Sequence, residues 1–295
     1  MANSYSKTNK KRFLLNDKKA KAEIAGKIRL WTNLNFTILK NIILKTTTLK
    51  ILNIVALIAV LIVNYMANAL PINGIKTNVI SDKNYNEFAP AGITFAIWGV
   101  IYSLLIAVMV WQFIRKNQLK DEAIEKLSPL FIVNCLFNAS WLFLWHHELL
   151  ATSIIIMLGI LFTLIQLNIV ISMKIAPETP SKLLLKAAFG VYLGWICIAT
   201  IANVTTWLVS IGWQGLGFSA TFWTGGLIGI GGITASMIII RFKNLFIGAA
   251  VVWAFIGIII KQNQLHDAFT PISWAAMTWA MPVIVAMIYS RTFKV

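Results

Sequence analysis

The side chains of this 295-residue chain with the most potential for chemistry are tryptophan, tyrosine and asparagine, which recur at helical spacing inside long apolar runs. Asn134 and Asn138 are one helical turn apart, and Trp141 and Trp145 continue the same face. Two further runs have comparable faces, made of Trp98 and Tyr102 in one run and of Tyr192, Trp195, Ala199 and Asn203 in the other. Amides in apolar surroundings are stable only when they are paired, so these faces are expected to point toward other helices.

The three faces admit two interpretations. The first is packing between helices, in which each asparagine forms a hydrogen bond across an interface. The second is a shared aromatic pocket for a flat, apolar ligand that has a few polar groups.

Ionisable and metal-binding residues give weaker signals. The middles of the apolar runs contain no Asp, Glu, Lys or Arg, which argues against an ion-driven carrier and removes carboxylate pairs for acid–base catalysis. Cys135 and Cys197 have no CxxC or Cys/His spacing, so we interpret them as small buried apolar side chains and predict no metal site. For the adjacent His146 and His147 two interpretations stay open, solvation at the membrane interface or contact with a ligand at a pocket mouth.

The composition identifies the class of protein that must position these side chains. Hydrophobic residues make up 58% of the chain and charged residues only 12%, against about 25% charged residues in a typical soluble domain. These figures exclude a soluble enzyme, a disordered protein and a small disulfide-stapled module, and they leave a multi-pass membrane protein whose first partner is the lipid bilayer.

Eight apolar runs are long enough to cross a membrane as helices, since about 20 helical residues span the hydrocarbon core. They lie near 51–70, 90–113, 129–146, 150–173, 184–209, 218–240, 244–260 and 271–289. Pro282 makes the eighth the least regular run. The predicted fold class is therefore all-α, a polytopic transmembrane helix bundle with about eight spans.

The basic residues fall almost entirely on one side of these spans. Of the 26 Lys and Arg residues, 23 lie in the segments on the side of the chain termini, and only Lys76, Lys83 and Lys261 lie on the other. The positive-inside rule therefore predicts that both termini are cytoplasmic, in a plasma or bacterial inner membrane. The net charge of +16 reflects this asymmetry, and we predict no binding of nucleic acid.

Two local patterns add detail. Residues 1–29 are rich in lysine and are predicted to be a solvated tail, whereas 30–42 has the apolar spacing of a basic amphipathic helix on an anionic membrane surface. In the sixth span, Gly225 and Gly229 have GxxxG spacing within a glycine-rich surface, which predicts close helix packing.

Three motifs in the aromatic faces resemble those of the tryptophan-rich sensory protein/translocator protein (TspO/MBR) family. The segment from Ala89 to Tyr102 is similar to the second-helix signature PPxxxFxxVWxxLY, with Pro90, Trp98 and Tyr102 in register. The segment from Asn138 to Trp141 matches the third-helix NxxW, and Tyr192-x-x-Trp195 followed by Ala199 and Asn203 matches the fifth-helix PYxxWxxFAxxLN. Ala89 and Val191 replace prolines of the family pattern, and the Phe is shifted to Phe95.

Together with the basic N-terminal region, the extent of the resemblance divides the chain into three segments. These are a basic N-terminal segment over 1–50, a TspO-like five-helix core over 51–210 and a three-helix extension over 211–295. The resemblance also implies a pocket for a porphyrin, a haem-like tetrapyrrole or a sterol-like molecule, and a homodimer. The residues it assigns to the ligand are Pro90, Trp98, Tyr102, Asn138, Trp141, Trp145, Tyr192, Trp195, Ala199 and Asn203.

The expected function is ligand binding with a sensor or translocator role. In this hypothesis a planar ligand enters between the first, second and fifth spans and stacks on Trp98, Trp141 and Trp195. The side chains expected to hold its polar edge are Asn138, Asn203, Tyr102 and Tyr192. The alternatives are a facilitative transporter of a small apolar metabolite and a scaffold subunit that recruits partners through its basic tail. No catalytic constellation supports the tetrapyrrole degradation attributed to some family members, so we expect no enzyme activity.

Overall fold

A computed structural model describes residues 45–67, 69–70, 72–75, 77–114, 118–174 and 180–292. The chain divides into two compact units, Met1–Thr48 and Leu49–Val295, and the second contains the helical bundle. The predicted tail over 1–29 and the predicted amphipathic helix over 30–42 lie outside the described residues.

The described part of the chain consists of helices and short connections and contains no strand, because backbone groups in lipid must bond within their own segment. Its helices are α1 (45–67), α2 (Thr77–Lys83), α3 (Ile97–Trp111), α4 (Gln118–His146), α5 (Leu150–Lys174), α6 (Pro180–Ser210), α7 (Ala220–Phe242), α8 (Leu245–His266) and α9 (Pro271–Thr292). A 3-10 turn over Gly92–Ala96 leads into α3.

Eight of these helices, all except α2, lie in segments long and apolar enough to cross a membrane, which confirms the predicted polytopic bundle. Helix ends differ from the predicted bounds, most clearly at the start of the third span. The third span does not begin at Pro129, since α4 starts at Gln118 and contains that proline. The eighth runs unbroken through Pro282. A proline inside a membrane helix is tolerated because neighbouring groups satisfy the freed carbonyl.

The most deeply buried of the eight spans is α6, with α3, α5 and α8 packed around it. Two glycines on α6 permit the approach of α8. A side chain at Gly190 would meet the Asn244 amide, and one at Gly194 would overlap the Ile247 carbonyl oxygen. One side of α6 is thus closed by the C-terminal helices.

Close packing at the glycines of α7 was expected, and the structure confirms it with α9 as the partner. A Cβ atom at Gly229 would lie 2.9 Å from the Trp279 indole, and one at Gly232 would lie 3.0 Å from the Trp279 carbonyl oxygen. Gly231 faces the other way, toward Ile198 and Phe255. The glycines therefore allow α7 to pack tightly on two sides.

Replacing Gly194 should separate α6 from α8. We expect Gly194→Ala to lower the free energy of unfolding by about 1–3 kcal/mol, because the added methyl group overpacks a closed interface. The measurement is thermal unfolding of the purified protein in detergent.

The matched control is Gly226→Ala, since a Cβ atom there meets nothing within 4 Å. Alanine has the higher helix propensity, so this variant should be as stable as the parent or slightly more stable. Equal stability of the two variants would show that α6 and α8 do not approach as closely as described.

Candidate functional site

Aromatic rings from α3 and α6 form one cluster around Trp98. The Trp98 ring stacks on Tyr102 at a centroid distance of 5.5 Å and an interplanar angle of 21°. It meets Tyr192 edge-on at 5.7 Å and Trp195 edge-on at 6.4 Å. Phe95, from the 3-10 turn before α3, also meets Trp195 edge-on, at 5.7 Å. The predicted faces of the second and fifth spans therefore meet each other.

The predicted face of α4 forms the opposite wall. The Trp141 and Trp145 rings stack at 5.5 Å, and both indole N–H groups have fixed partners. Trp141 Nε1 donates to Asn203 Oδ1 at 2.8 Å, and Trp145 Nε1 donates to the Thr77 carbonyl oxygen at 3.1 Å. These bonds fix the orientation of both rings.

Asparagine joins the same helices behind the rings. Asn138 Nδ2 donates to the Tyr192 hydroxyl at 2.6 Å, and Asn64 Nδ2 on α1 donates to Asn138 Oδ1 at 3.4 Å. Asn203 Nδ2 donates to Ser153 Oγ on α5 at 2.9 Å. The amides thus act as the hydrogen-bonding partners between helices that the first interpretation of the sequence expected.

Two adjoining cavities lie among these side chains. The larger, of about 420 Å³, is lined by Leu61, Asn64, Tyr65, Thr77, Gly92, Phe95, Trp98, Tyr102, Trp141 and Leu142. The smaller, of about 40 Å³, is bounded by α3, α4 and α6. Both share Thr77, Phe95, Trp98 and Trp141 in their walls, so a modest shift of these side chains would merge them.

The structure brings most of the predicted ligand-binding residues to these cavities. The residues that line the smaller one are Pro90, Trp98, Trp141, Trp145, Trp195, Ala199 and Asn203. Tyr102 lines the larger one with Trp98 and Trp141. Asn138 and Tyr192 line neither cavity and are bonded to each other.

Two polar groups of the site have no partner among the described residues. The Tyr102 hydroxyl and the Trp195 indole N–H are buried and form no hydrogen bond of ordinary geometry there, although the Asn64 and Asn138 amides lie beside the hydroxyl. Buried polar atoms without a partner are rare in native structures and need an explanation, such as a bound molecule.

Several site residues were not predicted from the sequence. Asn64, Thr77 and Phe95 line the cavities, and Ser153 anchors Asn203. Thr77 belongs to α2, a short helix in a connection where no helix was predicted. The one available signal was Phe95, which stands one position after Thr94, where the family pattern has its phenylalanine.

The interpretation that His146 is solvated at the membrane interface was wrong. Its side chain is fully buried, and it contacts Thr77 Oγ1 at 3.0 Å through Nε2 and the Ile72 carbonyl oxygen at 3.2 Å through Nδ1. His146 therefore ties the connection before α3 to the end of α4. His147 is exposed and contacts the carbonyl oxygen of Phe143 in its own helix. The described residues include no cluster of three or more His, Cys, Asp or Glu that could hold a metal ion.

The Asn203 amide should be required for stability. We expect Asn203→Leu to lower the free energy of unfolding by about 1–3 kcal/mol, since Trp141 Nε1 loses its acceptor and Ser153 Oγ loses its partner on α6. Thermal unfolding in detergent measures this.

One turn away on α6, Thr200 provides the control. Its hydroxyl donates only to the Ile196 carbonyl oxygen of the same helix, so Thr200→Val should change stability little. A loss in Thr200→Val as large as in Asn203→Leu would contradict the assigned role of the amide.

Comparison with known proteins provides the family. A family model described as TSPO-like protein matches residues 50–289 and runs through all eight spans. It therefore includes α7, α8 and α9, which the motif resemblance did not reach. No match was found among curated proteins or among solved structures. With its eight membrane-spanning helices, this chain belongs to the TSPO-like protein family.

Proposed function

We propose that this protein binds a flat, apolar ligand of the porphyrin, haem-like or sterol-like class between α1, α3, α4 and α6, and acts as its sensor or translocator. The observation that carries the proposal is the pair of unpartnered polar groups, Tyr102 hydroxyl and Trp195 N–H, in the walls of two adjoining aromatic cavities. A pocket with apolar walls and few polar groups is typical of small-molecule sites.

The ring geometry refines how such a ligand would lie. The planes of Trp98 and Trp195 are 83° apart, so one flat molecule cannot stack face-on against both. It would stack on one ring and meet the edge of the other, an arrangement that aromatic pairs favour.

The hydrogen bonds refine which groups would hold the polar edge of the ligand. Asn138 is bonded to Tyr192, and Asn203 is bonded to both Trp141 and Ser153. Those amides already have partners, so they position the walls. Tyr102 and Trp195 remain as the groups whose hydrogen bonds a ligand would complete.

The proposal includes a location and an orientation. We place both termini in the cytoplasm and the protein in a plasma or inner membrane, because 23 of 26 basic residues lie on the side of the termini.

We assign no catalytic role, since neither cavity wall includes a carboxylate, a cysteine or a histidine. We also propose that the protein forms a homodimer, as the family resemblance implies.

The first test measures the binding of protoporphyrin to the detergent-purified protein through the fluorescence of the porphyrin. The triple variant Trp98→Phe, Trp141→Phe, Trp195→Phe should bind about tenfold or more weakly, because it loses aromatic contact area and the unpartnered Trp195 indole donor.

The control is the triple variant Trp213→Phe, Trp223→Phe, Trp274→Phe, whose three tryptophans line neither cavity of the site. This variant should bind protoporphyrin as the parent does. If the two triple variants bind alike, the ligand does not occupy the cavities around Trp98.

The second test uses opposite effects on stability and binding. Without ligand, Tyr102→Phe should raise the free energy of unfolding by about 1 kcal/mol, because it removes a buried hydroxyl that has no partner. The same change should weaken protoporphyrin binding by about two- to tenfold, because the ligand loses a hydrogen bond.

Tyr192→Phe is the matched control, since its hydroxyl accepts a hydrogen bond from Asn138. Loss of this hydrogen bond in Tyr192→Phe should lower the free energy of unfolding by about 1 kcal/mol. A Tyr102→Phe protein that is less stable, or that binds protoporphyrin as tightly as the parent, would rule out the assigned role of this hydroxyl.

A further inference from the structure

A second and larger cavity, of about 740 Å³, lies at the end of the bundle where α6 joins α7. It is separate from the site around Trp98, and none of the motif residues assigned to the ligand lines it. Its walls come from the segment over 85–88, the last turns of α6, the connection before α7 and the first turns of α7. A volume of this size lies within the range of small-molecule sites, about 300–1,000 Å³.

Glu87 supplies the one formal charge of the residues that line this cavity. Its Oε2 atom is buried without a partner among the described residues, and Oε1 accepts only a long hydrogen bond of 3.5 Å from Thr221 Oγ1. The Gln262 amide fixes the residue by donating to its backbone carbonyl oxygen at 3.2 Å. Burial and the Glu87 carboxylate raise the pKa of Tyr85, so this neighbouring phenol is neutral at pH 7.

The described lysines near this end of the bundle have other carboxylate partners. Lys83 Nζ binds Glu148 at 2.6 Å, and Lys261 Nζ binds Asp82 at 3.0 Å. Glu87 is therefore a carboxylate at a low-dielectric wall whose charge no described basic side chain balances. A charge in this position attracts a cation more strongly than one in open solvent.

Aromatic rings cover the adjoining wall. Trp213 and Trp223 meet at a centroid distance of 5.2 Å, and Phe218 meets Trp223 edge-on at 6.3 Å. Trp223 Nε1 donates to the Gly215 carbonyl oxygen at 2.8 Å, and this bond holds the connection against α7. Leu216, in the turn that presents these rings, has a φ of 53°, in the left-handed region that non-glycine residues rarely adopt.

We propose that this second cavity binds an organic cation, an amine or quaternary ammonium group with an apolar body. The Glu87 carboxylate provides the opposite charge, and Trp213, Phe218 and Trp223 provide ring faces and an apolar wall. Cations bind over aromatic faces through the ring quadrupole, and aromatic walls are the usual recognition mode for quaternary ammonium groups.

The test is calorimetric titration of the full-length protein in an uncharged maltoside detergent. Benzyltrimethylammonium is the probe, and neopentylbenzene, its neutral carbon isostere, is the comparison. The parent protein should bind the cation about tenfold or more tightly than the isostere. Equal affinities in the parent would overturn the proposal without any variant.

Variants locate the site. Glu87→Gln should weaken binding of the cation about tenfold or more and leave the isostere unaffected, and Trp213→Leu should weaken cation binding as well. Glu148→Gln is the matched control, because this carboxylate is at the same end of the bundle but pairs with Lys83 outside the cavity. Unchanged cation binding in Glu87→Gln, or an equal loss in Glu148→Gln, would overturn the proposal.

A competition experiment distinguishes two sources of the cation, a lipid headgroup and a soluble molecule. Phosphatidylcholine carries the same quaternary ammonium group as a free solute, so it is added to the parent protein before titration, with phosphatidylglycerol as the comparison. Competition by phosphatidylcholine alone identifies a lipid headgroup as the occupant. Absence of competition identifies a soluble organic cation.

Discussion

The constraint on which this structure depends is that a polar side chain inside a membrane bundle needs a hydrogen-bond partner, which the amides of this bundle find on other helices. Asparagine meets it at each level of the bundle. Asn53 donates to Ser128 at 2.8 Å and so joins α1 to α4, and Asn134 donates to Thr163 at 2.8 Å and joins α4 to α5. Asn168 donates to the Phe189 carbonyl oxygen and accepts from Asn244, which connects α5, α6 and the start of α8. Because these bonds set the rotation of each helix, they also determine which aromatic rings face the cavities.

The sequence was sufficient to predict the eight spans and the aromatic faces within them, because both depend on local periodicity. Hydropathy predicted eight spans, and 3–4 spacing placed Trp98 and Tyr102 on one face and Trp195, Ala199 and Asn203 on another. These faces could be read because each lies within one helix. The motif comparison was equally local, and it pointed to residues that the fold does bring to the cavities.

Features that depend on distant segments could not be predicted in this way. The burial of His146 results from its contacts with Thr77 and Ile72, which lie about 70 residues earlier in the chain. For Asn138 and Asn203 the sequence left open pairing between helices or contact with a ligand, and it could not identify Tyr192, Trp141 and Ser153 as their partners. The cavity beside Glu87 is formed by two connections and the ends of two helices, none of which has a periodic pattern.

The central helix α6 contributes residues to the walls of both cavities. Ala199, Asn203 and Thr206 on this helix line the cavity around Trp98, whereas Thr200, Val204 and Thr205 line the cavity beside Glu87. A molecule that rotates or shifts α6 on one side therefore reshapes the binding surface on the other. Thermodynamic linkage requires such an effect to be mutual, with each occupant changing the affinity of the other by the same factor. If both proposed ligands bind, α6 is the helix through which each would change the affinity for the other.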